Sequence, residues 1–136
     1  MSPSEWQPMV LIRHECGEGS HWDWMLAPDG CPTDPDAQAL GSWRVGVPIH
    51  RAPPADPIEI EIGPAHRVAY LSLAAPRALS GGRGHVTPVA RGRWRHLDAA
   101  RWELRWDGHW AGQVSVSASP RGPTWRRLTA TQHRGP

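Results

Sequence analysis

The stretch Val10-Leu-Ile-Arg-His14-Glu-Cys-Gly-Glu-Gly-Ser-His21-Trp-Asp23-Trp-Met25 predicts a β-hairpin that carries three possible metal ligands. Its middle, Gly17-Glu-Gly-Ser20, supplies the turn, in a loop that we expect to be longer than the two residues of a type I′ hairpin. Side chains alternate between the two faces of a strand. We therefore expect Val10, Ile12 and His14 to share one face of the first strand.

The return strand of this hairpin places His21 and Asp23 on one face and Trp22 and Trp24 on the other. Two imidazoles, the second from His14, and one carboxylate can then converge from neighbouring strands. This donor set suits Mn²⁺, Fe²⁺ or Zn²⁺, and it leaves coordination positions open for water or substrate. The alternative is that a histidine beside a tryptophan forms an amphipathic surface pair that binds no metal.

The whole chain, residues 1–136, is predicted to form one domain built mainly from short β-strands. Nine Trp and no Phe indicate a core formed around indoles. Ile-Glu-Ile-Glu-Ile at 58–62 alternates strictly, as a half-buried strand does. Strands are predicted at 9–27 (the hairpin), 40–45, 58–62, 86–94, 102–106, 110–116 and 125–129, and at 66–73 if that segment is extended.

These segments predict a small antiparallel β-barrel, closed or partly open, of about eight strands with little helix. A β-sandwich is the alternative. The core is expected to span about residues 9–129, and residues 48–57, which hold four prolines, are expected to form a surface loop. The remaining histidines, at positions 50, 85, 96, 109 and 133, form no recognisable set, so we expect them at surface or turn positions.

The charge of the chain is mild, at +2, and does not by itself require nucleic acid as a partner. Residues 77–105 nevertheless hold seven arginines, interleaved with Trp94, Trp102 and Trp106. This segment predicts either a groove that follows a nucleic-acid backbone and stacks its bases, or a solvated arginine-rich face.

Cysteine content and hydropathy bear on the compartment. Cys16 and Cys31 form no CxxC motif, and no apolar run approaches the roughly 20 residues of a membrane span. We expect a cytoplasmic monomer with no disulfide and no membrane contact.

A set of short motifs in fixed order resembles one known family. They are His14, His21-Trp-Asp23, Gly41-Ser-Trp43, His66-x-x-x-Tyr70 and the glycine-rich turn before Arg91-Gly-Arg-Trp94. From about residue 9 to 129 the chain resembles the 3′-phosphoesterase domain of bacterial DNA ligase D, in its small stand-alone form. The resemblance implies a compact β-barrel that binds Mn²⁺ and removes a 3′-terminal ribonucleotide or phosphate from a primer strand during DNA repair.

By this resemblance His14, His21 and Asp23 are the metal ligands, with Mn²⁺ expected and Zn²⁺ or another divalent transition metal as alternatives. His66 and Tyr70 correspond to the residues that contact the scissile phosphate. If residues 66–73 formed a strand, these two side chains would point the same way about 13 Å apart, and a bulge or turn would bring them closer.

The sequence departs from the family at its phosphate-binding cations. Met25, Val47 and Ile58 stand at or near positions where the family has basic residues. Arg44 or Arg83 could replace the missing charge; Arg67 is a further option.

Three functions therefore remain open. The first is a phosphoesterase acting on the 3′ end of DNA or of an RNA/DNA primer-template, with a separate ligase or polymerase as a possible partner. The second is a module that binds DNA ends or a repair protein without turnover. The third is a non-haem iron oxygenase that uses His21, Asp23 and His66.

Overall fold

The computed structural model describes residues 4–17, 19–51, 57–119 and 122–133. This part of the chain forms the strands Gln7–Cys16 (β1), Gly19–Leu26 (β2), Gln38–Val45 (β3), Ile58–Ile62 (β4), His66–Arg67 (β5), Arg77–Ala78 (β6), His85–His96 (β7), Arg101–Trp106 (β8), Trp110–Ser119 (β9), Gly122–Arg127 (β10) and Thr131–Gln132 (β11). Its helical segments are two 3₁₀ turns, Val68–Ser72 and Ser80–Gly82. No helix within the described ranges has the length and apolarity that crossing a membrane requires.

Eight of the described strands close into an antiparallel barrel. Their order is β1-β2-β3-β4-β10-β9-β8-β7, and β7 pairs with β1 to complete the ring. The short strands β5, β6 and β11 pair with β3, β7 and β9 outside this path. The predicted antiparallel barrel of about eight strands is confirmed, and the barrel is closed.

Indole rings fill the barrel interior. All eight barrel strands contribute to one buried cluster, in which Trp24, Trp106 and Trp125 are fully buried. Trp94 and Trp102 belong to the same cluster, with ring centroids 5.2 Å apart. The expectation that Trp94, Trp102 and Trp106 could stack nucleic-acid bases is therefore wrong, because their faces are occupied by one another and by the core.

A second apolar cluster lies on the outer face of the barrel wall. Val10 and Ile12 of β1 point outwards, while Met9 and Leu11 point into the barrel, as the two-residue period of a strand requires. The segment that includes the 3₁₀ turn Val68–Ser72 covers this outer face. Because His14 follows Ile12 by two residues on β1, it lies at the margin of this covered patch.

The segment 66–73, which was predicted to be a strand only if extended, is extended only at its start. Only His66 and Arg67 pair with β3, and the chain then turns into the 3₁₀ segment. The amides of Val68 and Ala69 donate to the carbonyls of Ala37 and Pro35, which lie in the loop before β3. These bonds draw the chain off the sheet and over the outer apolar cluster.

Two further predictions concerned loops, at the tip of the hairpin and at residues 48–57. Cys16 pairs directly with Gly19, so the hairpin loop has two residues and is shorter than expected. The positive φ of +127° at Gly19 permits this tight return. Of the expected proline-rich loop at 48–57, residues 48–51 form a turn closed by a bond from the Arg51 amide to the Pro48 carbonyl, and residues 52–56 lie outside the described residues.

Candidate metal centre

The pairing of β1 with β2 brings the three predicted ligands together on the outer face. His14 lies directly opposite His21, and Ile12 lies opposite Asp23. One donor atom from each of His14, His21 and Asp23 lies within 4.8 Å of the others. The Nε2 atom of His21 is 3.3 Å from Oδ1 of Asp23. The described residues therefore contain one group of three side chains that could hold a metal ion.

The donor atoms fit a divalent transition metal. Ligands that are each about 2.1 Å from one ion lie about 3 to 4.3 Å apart, so the observed spacing needs only a small inward adjustment. The Nε2 atom of His21 is buried, and its 3.3 Å approach to Oδ1 of Asp23 falls outside hydrogen-bond geometry, so no described residue satisfies it with a hydrogen bond. A buried polar atom without a partner is costly, and a metal ion would satisfy this nitrogen.

Electrostatics keep His21 in its neutral, metal-binding form. Burial lowers the pKa of His21, and the nearby Arg44 and His14 lower it further. Asp23 acts in the opposite direction and raises this pKa. Only the neutral imidazole has a lone pair free for a metal.

The ring of His14 is oriented by the glycine-rich loop. Its Nε2 atom is 2.7 Å from the carbonyl oxygen of Arg83, so an N–H at Nε2 can donate to that oxygen. This bond leaves Nδ1 as the nitrogen with a free lone pair. The loop approaches β1 so closely that a Cβ on Gly84 would lie 1.9 Å from the carbonyl oxygen of Glu15.

His66 and Tyr70 open onto the same pocket as the ligand group. This pocket, of about 370 Å³, is lined by His14, Asp23, His66 and Tyr70 among others. The 3₁₀ turn brings the rings of His66 and Tyr70 to a centroid distance of 5.7 Å, far closer than the separation expected on a strand. His21 does not line the pocket itself, but it contacts Asp23, which does.

Of the two arginines proposed from the sequence, Arg83 lines the pocket and Arg44 does not. Arg44 is the direct cross-strand neighbour of Asp23 on β3, and its side chain is exposed. It forms no ion pair with the described residues. Arg83 lines the pocket, but its guanidinium donates to the carbonyl and hydroxyl oxygens of Ser80. Arg44 is therefore the less constrained of the two cations.

The three positions that lack the expected basic residues have apolar surroundings. Met25 lines the pocket and is buried in the outer cluster. Val47 and Ile58 pack against the barrel core, away from the ligand group. Sequence reasoning also gave no role to Arg77, which lines a larger neighbouring cleft with Arg67. The only sequence signal for that cleft was the excess of arginine from position 77 onwards.

Comparison with models of known protein families gives no match, and comparison with curated proteins finds no significant similarity. The resemblance to the phosphoesterase family therefore stays a prediction that rests on the ordered motifs of the chain.

Proposed function

We propose that this protein is a metal-dependent phosphoesterase that removes a 3′-terminal ribonucleotide or 3′ phosphate from DNA or from an RNA/DNA primer-template. One observation carries the proposal. A group that could hold a metal, His14, His21 and Asp23, shares its pocket with a histidine and a phenol, His66 and Tyr70. A phosphate placed in this pocket would meet both halves of the site.

The metal proposed is Mn²⁺, because two imidazoles and one carboxylate suit it and leave open coordination positions; Zn²⁺ fits the same set. When bound, it would polarise a phosphate oxygen and lower the pKa of a bound water. The residues His14, His21 and Asp23 would hold the ion, and they lie at the outer wall of the barrel. Their position on two paired strands fixes the site more firmly than a loop would.

His66 and Tyr70 act on the phosphate itself. A histidine can exchange a proton with the leaving oxygen, and a phenol hydroxyl can donate to an oxygen on which charge develops. The Nδ1 atom of His66 is buried without a partner in the described part of the chain. The Nε2 atom of His66 is therefore the nitrogen that would exchange a proton with the substrate.

Arg44 supplies the cation that Met25 does not. A thioether cannot neutralise the charge of a phosphate oxygen, whereas a guanidinium can bind phosphate through two parallel hydrogen bonds. Arg44 is adjacent to Asp23 across the β2–β3 pair. Its charge already acts on this site, since it lowers the pKa of His21.

A second function is favoured by Met25 alone. Met25 lines the pocket at the position where the phosphoesterase family has an arginine. The loss of that cation favours a module that binds nucleic-acid ends with little turnover. The iron oxygenase hypothesis has less support, because the donor group contains His14 rather than His66. Oxygen consumption with Fe²⁺ and a 2-oxo acid would support it instead.

The test is removal of a 3′-terminal ribonucleotide or phosphate from a labelled primer-template, with and without Mn²⁺. We expect product only with the metal, and none from the variant His21→Ala. The exposed arginine Arg93, on the far part of β7, gives the matched control Arg93→Ala, which should retain activity. Binding of both Mn²⁺ and DNA without product would reject the enzyme and favour the binding module.

A further inference from the structure

A second and larger cleft adjoins the metal pocket. It has a volume of about 560 Å³, against about 370 Å³ for the pocket at the ligand group. The two share His66, Tyr70, Leu79 and Arg83 as a common wall. A phosphate held between the metal ligands and His66 would therefore have the larger cleft directly beside it.

The cleft is lined by an excess of positive charge. Arg67, Arg77 and Arg83 line it against one carboxylate, that of Asp36. Arg67 and Arg77 are exposed, and neither forms an ion pair with a described residue. Unpaired guanidinium groups in a concave surface are suited to phosphate oxygens.

The same cleft offers groups that bind sugars and bases. Gln38 and Asp36 line it, and Gln38 pairs in register with Arg67 across β3 and β5. Their amide and carboxylate groups can hydrogen-bond a ribose hydroxyl or a base edge. A cleft that combines cations with neighbouring hydrogen-bonding groups has the features of a site for a nucleotide chain, whereas a lone phosphate needs only the cations.

We propose that this cleft binds the last nucleotides of the strand that carries the reacting 3′ end, with Arg67 and Arg77 on its phosphodiester backbone. This inference rests on the proposed function, because that function places the reacting phosphate at His66. A positively charged groove that follows the backbone is the usual means of binding single strands. The cleft distinguishes a polynucleotide end from a small phosphate ester.

The alternative surface for nucleic acid lies on the outer face of β7 and β8. Arg93 and Arg105 face each other across that strand pair, and Arg105 lies over the ring of Trp6 at 4.1 Å. Arg95 of the same face is neutralised by Glu103, 2.6 Å away. Neither Arg93 nor Arg105 lines the cleft or the metal pocket, so this pair supplies a control with the same number of removed charges.

The experiment measures binding of a labelled six-nucleotide single strand by fluorescence anisotropy, in EDTA and at several salt concentrations, with DNA and RNA as separate arms. Each phosphate contact on a single strand contributes about 0.7 to the slope of log K against log salt. The double variant Arg67→Ala/Arg77→Ala should reduce that slope by about 1.4 and weaken binding at least tenfold at low salt. Arg67→Lys/Arg77→Lys should retain the slope, and Arg93→Ala/Arg105→Ala should bind like the wild type.

The outcomes separate this inference from the proposed function, because binding is measured without metal. Unchanged slope and affinity in Arg67→Ala/Arg77→Ala would overturn the cleft assignment even if the protein hydrolyses 3′ phosphates. A loss of affinity confined to Arg93→Ala/Arg105→Ala would place the bound strand on β7 and β8 and would also overturn the cleft assignment. So would a wild-type protein that binds no oligonucleotide. Cleft-dependent binding without turnover would support the inference and reject only the enzyme.

Discussion

The substitution Gly84→Ala should disturb the metal centre without touching a ligand. Gly84 has a φ of +89°, and an added Cβ would lie 1.9 Å from the carbonyl oxygen of Glu15. Ordinary contact begins at 3.4 Å, so the loop must retreat by about 1.5 Å. The carbonyl of Arg83, now 2.7 Å from Nε2 of His14, would then leave hydrogen-bond range.

Two losses follow from that retreat. Metal affinity should fall about 10- to 100-fold, because the bond that orients a ligating histidine is broken. Folding stability should fall by about 3 kcal/mol, from the strain of positive φ and from the loss of the bonds at Arg83 and between Leu79 and Gly84. Isothermal titration with Mn²⁺ and urea denaturation of the metal-free protein measure the two effects separately.

The matched control is Gly108→Ala, at a similar φ of +78° but with nothing within 4 Å of the added Cβ. It should lose only about 1–2 kcal/mol of stability, from backbone strain, and retain its affinity for Mn²⁺. If Gly84→Ala bound Mn²⁺ as tightly as Gly108→Ala does, the account of how the loop orients His14 would be wrong.

Three further predictions concern Arg44, Tyr70 of the pocket and the buried His50. Arg44→Gln should lower kcat by about 10² to 10³ in the primer-processing assay at saturating Mn²⁺, and Arg44→Lys should recover part of the loss. Tyr70→Phe should lower kcat by about tenfold or more and also leave Mn²⁺ binding intact, since the ring remains and only the hydroxyl is removed. Burial lowers the pKa of His50 to about 4, so between about pH 6.5 and pH 4 the unfolded chain binds more protons than the folded one. The free energy of unfolding should therefore fall as the pH is lowered through that range, by at most about 3 kcal/mol. Urea denaturation at pH 7 and at pH 4.5 should show this decrease for the wild type. The variant His50→Leu should show a smaller decrease.

The hairpin and its ligands could be predicted because they depend on local pattern. Alternation along β1 and β2 determines the face of each side chain, and the register then places His14 opposite His21. The same reasoning put Trp24 and Asp23 on opposite faces, and the structure places Trp24 in the interior and Asp23 in the pocket on the outer face. Only the length of the loop was wrong, since Gly19 joins the strand.

The proximity of His66 and Tyr70 could not be predicted, because it depends on contacts distant in sequence. The amides that follow Arg67 find their acceptors at Ala37 and Pro35, about thirty residues earlier. No pattern within residues 66–73 reports those partners. The result is a 3₁₀ turn where period-two alternation indicated a strand.

His50 and the arginine-rich segment show the same limit. His50 was expected at a surface or turn position; it lies in the turn at 48–51 but is only 4% exposed, next to Ile49, whose carbonyl accepts a bond from the Trp110 indole. Arg91 belongs to the arginine-rich segment, but its guanidinium donates to the carbonyls of Leu71 and Leu73 and so holds the 3₁₀ turn in place. Composition reports the number of such groups, whereas the fold decides which are buried and which face a ligand.

The most direct test of the account is the anomalous diffraction of crystals grown with Mn²⁺ and a nucleoside 3′-monophosphate, measured at the manganese edge. We expect one peak bound by His14, His21 and Asp23, with the phosphate between the metal and the side chains of His66 and Tyr70. A metal bound elsewhere, or a phosphate that contacts neither His66 nor Tyr70, would contradict it.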